Sequence, residues 1–162
     1  MEKRIILYVS FLLILSSSVN VSKAQTPKEK LYLETIANVV GHDLYISYVY
    51  LGSLTDSYIY KVYAQKFALN LLHEYVDYIN IIKAQMIKVN ENKLVPPADT
   101  NYVKLQIDAY ETMRQEALEF IKYVETGESK YVESYENLRR KAWTQIATIL
   151  GIPEEIEKVY KD

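Results

Sequence analysis

The chain contains no cysteine. That single absence excludes disulfides, thiolate metal sites, cysteine nucleophiles, cysteine-attached haem and a cysteine-linked lipid anchor. Glycine and proline are scarce, four of each in 162 residues, so no glycine-rich loop exists to cradle a phosphate. Histidine occurs only as His42 and His73. Val39 and Asn70 stand three residues before them, so the Glu-x-x-His pairs of a di-iron carboxylate bundle are missing. His73 and Asp77 lie one turn apart, too few ligands for a metal centre. No run of basic residues is present and the formal net charge is −2, which argues against nucleic acid as a partner. Strand-like alternation of useful length is also lacking.

What is present begins with an export signal. Lys3 and Arg4 precede an apolar run from Ile5 to Leu15, broken only by Ser10. Ser22-Lys23-Ala24 then supplies small residues at both positions that define a cleavage site. The run falls short of the ~20 apolar residues of a membrane span. The pattern predicts a signal peptide over 1–24 and a single domain over 25–162, periplasmic or secreted, with no membrane span in the mature chain. Without disulfides, that domain must be held by its core alone. A chain of this length can bury enough surface to do so.

The few breakers mark the domain's joints. Pro27 opens it, Gly52 starts GSLTD, Pro96 and Pro97 lie in NKLVPPADT, Gly127 sits in ETGES, and Gly151 and Pro153 bracket GIPEE. Helices are predicted over about 28–51, 55–92, 100–125 and 128–150, with a short helical tail at 153–160. Each carries an apolar stripe in steps of three and four, such as Val103, Gln106, Tyr110, Met113, Ala117, Phe120 and Val124. Ser53 three before Asp56, and Asp99 or Thr100, are candidate caps. The fold class expected is all-α, an up-and-down four-helix bundle behind a cleavable signal peptide. The second helix would run ~55 Å at ~1.5 Å per residue and project beyond its neighbours, or bend.

The stretch NVVGHDLYISYVYLGSLTD, residues 38–56, carries the richest chemistry. Ile36, Val40, Asp43, Ser47, Tyr50 and Leu54 follow the core rhythm, and Val39, His42, Ile46 and Val49 form the stripe beside it. This places His42 and Asp43 inward among aliphatic neighbours, where a carboxylate needs partners. Arg114 and Arg139 on the third and fourth helices, with tyrosine hydroxyls, are candidates. Asp43, His42, Ser47, Tyr110, Arg114 and Arg139 would then form either a polar layer that sets helix register or a small-ligand pocket. Gly41 would permit a close helix approach or mark a kink. From Ile36 to Leu54 Asp43 is the only charge. A helix apolar on every face implies burial on every face, and a lone bundle leaves one face open. A second layer follows: a homo-oligomer or a protein partner.

Tyrosine is the enriched residue, 16 in the chain against about 3% in average usage. Tyr45, Tyr48, Tyr60 and Tyr63 surround the expected first turn. They either pack ring-inward with hydroxyls at the water edge or form an interaction surface. No nucleophile elbow or oxyanion loop accompanies any serine, and Glu116 with Glu119 reads as a solvated helix face. The expectation is therefore a non-enzymatic protein with no catalytic residue, no metal and no cofactor. It acts as an interaction or structural module through helix 1, or alternatively as a ligand-binding or sensor bundle around Asp43 and Arg114. The layout is similar in outline to extracytoplasmic bundles such as sensor modules and cytochrome c′-like proteins. The haem-binding Cys-x-x-Cys-His of the latter is absent, and no residue carries over.

Overall fold

Thr26 starts the first helix by a reciprocal cap: its hydroxyl accepts from the Glu29 amide at 3.3 Å, and the Glu29 carboxylate accepts from the Thr26 amide at 2.9 Å. Pro27 follows at the first helical position, where its missing amide hydrogen costs nothing. In the computed structural model, which describes residues 26–152, four helices pack against one another: α1 (Pro27–Ile59), α2 (Gln65–Glu91), α3 (Thr100–Thr126) and α4 (Ser129–Leu150). A 3₁₀ turn, Pro97–Asp99, leads into α3. No strand occurs among the described residues. The expected signal peptide at 1–24 and tail at 153–160 lie outside them.

Contacting residues run in opposing order along each neighbouring pair. Asp43 meets Tyr78 while Tyr50 meets Tyr75; Phe120 meets Tyr135 while Glu116 meets Arg139. The helix α3 packs most extensively, against α4 and α2, while α1 touches all three others more lightly. Fully buried Leu44, Leu51, Leu72, Ile79, Tyr110, Met113, Phe120 and Ile146 form the centre. Burying each such side chain contributes roughly 1.5–3 kcal/mol.

The first turn is not where glycine placed it. The helix α1 runs through Gly52 and ends at Ile59, and α2 begins at Gln65 rather than 55. The long helix is therefore the first. Ser53, expected as a cap, is interior, and its carbonyl accepts from the Ser57 hydroxyl at 2.7 Å. The true break is at Lys61, whose φ is +59°. The Val62 amide donates to the Ser57 carbonyl and the Lys61 amide to the Tyr58 carbonyl, the paired bonds that close a helix on a left-handed residue. The same closure recurs after α2, with Lys93 at φ +53° and amides of Leu94 and Lys93 donating to Val89 and Asn90. Gly127 and Gly151 supply the left-handed residue after α3 and α4, at φ 72° and 64°.

Gly52 serves packing instead. A Cβ there would fall inside the Arg139 guanidinium of α4, 2.9 Å from Cζ and nearer still to Nη2. Gly41 does the same nearer the start of α1: a Cβ would lie 2.8 Å from Leu150 Cδ2. Two glycines thus let α4 approach α1 closely at both levels, and no kink is needed to explain either.

Replacing glycine by alanine within a helix ordinarily stabilises by roughly 0.5–1 kcal/mol. At position 52 the sign reverses. Gly52→Ala pushes the guanidinium, the end of a flexible side chain, from its seat and destabilises the protein by about 1–3 kcal/mol, the usual cost of overpacking. Chemical denaturation reads this directly, and an unchanged or raised midpoint would contradict the packing.

Candidate functional site

Two polar layers cross the interior, one above the other. In the first, the Asp43 carboxylate of α1 accepts hydrogen bonds from the Tyr110 hydroxyl of α3 at 2.6 Å and from the Tyr78 hydroxyl of α2. Tyr110 is fully buried and Tyr78 is 40% exposed, so the layer runs from the core to the rim between α1 and α2. Buried Ser47 lies beside the Tyr78 hydroxyl. Burial first, and then the bond to the Asp43 anion, holds both phenols in the protonated, donating form: Tyr78 is pushed up to about 12 and Tyr110 higher still.

The second layer joins α3 and α4. Arg139 Nη1 donates to Glu116 Oε1 at 2.9 Å, and the Glu116 side chain is wholly buried. The guanidinium stacks over the Tyr48 ring at 4.2 Å, against the space left by Gly52. The ring of Tyr48 also meets Trp143 at 5.6 Å. Thr55 donates its single hydroxyl proton to the Gly52 carbonyl at 2.9 Å, so the Tyr135 hydroxyl must donate to Thr55 in their 2.9 Å contact. Tyr75 of α2 stands between the layers, where it feels the charges of both Glu116 and Asp43. Its hydroxyl and Glu116 Oε2 have no hydrogen-bond partner among the described residues.

The expected site residues are therefore only partly together. Asp43, Ser47 and Tyr110 converge as read. Arg114 does not join them. Its guanidinium grips Glu111 on its own helix at 2.7 and 3.0 Å, and Lys83 of α2 binds the same carboxylate. These bonds, Arg114 first, lower Glu111 to about 2. Arg139 serves Glu116, one layer away from Asp43. Glu116, read from sequence as part of a solvated face, is wholly out of water. Tyrosine hydroxyls took the place assigned to an arginine because phenols on the facing helices reach Asp43 without a second buried charge.

The rotation of α1 also differs from the expected wheel. Its core stripe is Gly41, Leu44, Ser47, Leu51, Leu54 and Thr55. Ile36 and Tyr50, expected inside, are 55% and 46% exposed. Leu44, Leu51 and Leu54 face in, while Val39, Ile46 and Val49 face out. Tyr32, Thr35, Val39, His42, Ile46, Val49 and Ser53 follow steps of three and four along the outer side, and all but half-buried His42 are exposed. His42 Nδ1 lies 2.8 Å from the Asn38 carbonyl. A carbonyl only accepts, so Nδ1 is the donor in this contact.

Of the four tyrosines expected on a surface, Tyr45 and Tyr48 are half-buried and packed against the core. Tyr63 is half-buried and meets Phe67 edge-on at 5.0 Å. Only Tyr60, 77% exposed at the end of α1, stands clear. A surface groove between α3 and α4, lined by Leu118, Lys122, Leu138 and Lys141 among others, involves none of the expected site residues. No cluster of three metal-ligating side chains occurs among the described residues, and none of their helices is long and apolar enough to cross a membrane. No family model, curated protein or solved structure matches the chain.

Burial pushes the Glu116 carboxyl up to about 7 against the pull of Arg139. A raised carboxyl binds its proton more tightly folded than unfolded. Its contribution to stability is therefore full below its ordinary 4.5, falls as pH rises, and is lost above about 7. Wild-type stability should decline across that window, by at most ~1.4 kcal/mol per pH unit from this one group. Glu116→Gln should flatten the decline. Thermal unfolding of both proteins between the two limits checks it, and equal slopes would contradict the assignment.

Proposed function

We propose that the chain is an exported, non-enzymatic up-and-down helical bundle that engages protein through the outer face of α1. One observation carries the reading. Val39 and Ile46 are 63% and 62% exposed in the middle of a face with no charged side chain at its centre. Single exposed aliphatic residues are ordinary, but a largely apolar, uncharged strip on a helix is a mark of a docking site. The strip repeats in the three-four rhythm by which one helix lies along another. Export rests on the charged start, short apolar run and small-residue end of positions 1–24. The non-enzymatic part rests on the missing nucleophile and phosphate-binding motifs.

The polar layers support this reading by what they do for α1. Asp43 and Gly52 are its two anchor points, and both turn the leucine side of the helix inward. The tyrosines belong mainly to that anchoring, with Tyr32 and Tyr50 left to contribute to the outer face. A small-ligand reading around Asp43 and Arg114 has weaker support, since Arg114 is committed to Glu111 and both tyrosine partners of Asp43 already occupy its oxygens.

A photo-reactive amino acid at Ile46, incorporated in cells that make the protein, tests the proposal. It should yield a discrete protein adduct on irradiation, while the same label at exposed Glu133 on α4 should not. Intact masses from that experiment also report whether the chain begins at Gln25. Equal labelling from the two positions, or none from Ile46, would overturn the interaction reading.

A further inference from the structure

We infer that the partner is a second copy of this chain, bound α1 against α1 in antiparallel orientation about a two-fold axis near His42. The inference rests on the interaction reading above and names its partner.

A two-fold interface presents the same patch on both sides, so the patch must tolerate itself. Between residues 35 and 55 Asp43 is the only charge, and its carboxylate is turned to Tyr110 and Tyr78 within its own bundle. Two such faces meet without like-charge repulsion at their centre. A heterologous partner would find no charge there to select it, whereas a copy requires none.

The ends of the face decide the orientation. Exposed Lys28 lies in the first turn of α1 and exposed Asp56 in the last. An antiparallel pair sets each Lys28 toward the second copy's Asp56, giving two attractive ends. A parallel pair sets lysine on lysine and aspartate on aspartate. The opposed helix dipoles favour the antiparallel choice as well.

The area is sufficient. The large apolar side chains between Leu31 and Tyr50 on this side are 43–64% exposed. At side-chain areas of roughly 150–250 Å² for the aromatic members, they present on the order of 800 Å² per copy, the share each partner gives to a standard interface. Val39, His42 and Ile46 fall beside the axis, where the β-branched side chains of Val39 and Ile46 project little and allow close helix approach.

The test uses the chain as recovered after export. Sedimentation at about 100 μM should show a dimer, well above the micromolar dissociation constant that interfaces of this size commonly reach. Val39→Asp with Ile46→Asp should leave a monomer with unchanged helical circular dichroism. Because the chain has no cysteine, an introduced one pairs only with its counterpart. An oxidised mixture of Val39→Cys and Ile46→Cys chains should give mainly the mixed disulfide, recognisable by intact mass. A monomer at that concentration, or predominance of the two like-with-like disulfides, would overturn the inference. If the Ile46 photo-adduct contains a different protein, the dimer falls while the interaction reading stands; if there is no adduct, both fall.

Discussion

The hydrogen-bonded contact between Glu116 and Arg139, seated against Gly52, is the constraint on which the arrangement of helices depends. A carboxylate taken wholly out of water requires compensation. Here it comes from a guanidinium that is itself held by a tyrosine face and by the absence of a side chain on α1. Three helices are therefore keyed to one another at a single level. The glycine brings the α1 backbone directly against the guanidinium, so a shift of the helix there requires Arg139 to move as well. Replacement of such pairs by apolar residues is often neutral or stabilising in other proteins, so the pair here is best understood as fixing geometry.

The Asp43 layer adds a second fixed point, roughly two and a half turns from Gly52 along α1 at ~3.6 residues per turn. Its physics differs. Phenols donate to the carboxylate and remain protonated far above neutral pH, so the layer holds one charge instead of two. Tyr75 spans the two layers with a hydroxyl that senses both anions. Tyr110 and Tyr135 show what tyrosine does here: the ring fills the core while the hydroxyl bonds to a side chain of α1. Tyr58, Phe120, Tyr123 and Tyr135 continue this as an aromatic cluster of edge-on and tilted rings toward the first turn.

Much of the architecture was legible in the sequence. Gly127 and Gly151 mark real helix ends because each adopts the left-handed conformation that closes a helix. The steps from Val103 to Val124 describe the true core stripe of α3. Gly52 misled because a glycine needed for close approach carries the same letter as one needed for a turn. The actual turn is closed by Lys61, and lysine gives no local sign of left-handed backbone. Glu116 was misjudged because its neighbours Gln115 and Glu119 are polar, and only the tertiary placement of Arg139 reveals it as interior. On α1, aliphatic residues on every side left the rotation undetermined by periodicity. The leftover apolar face was foreseeable, but which residues form it was not.

With α1 set by two anchors, its outer face follows as a consequence of packing. The most direct measurement is the paramagnetic relaxation of methyl groups by a dissolved chelate, made on dilute protein. Strong relaxation is expected at Val39, Ile46 and Val49 and almost none at Leu44 and Leu51. Protected valine and isoleucine methyls beside relaxed leucine methyls would show α1 turned the other way, and would contradict the account at its root.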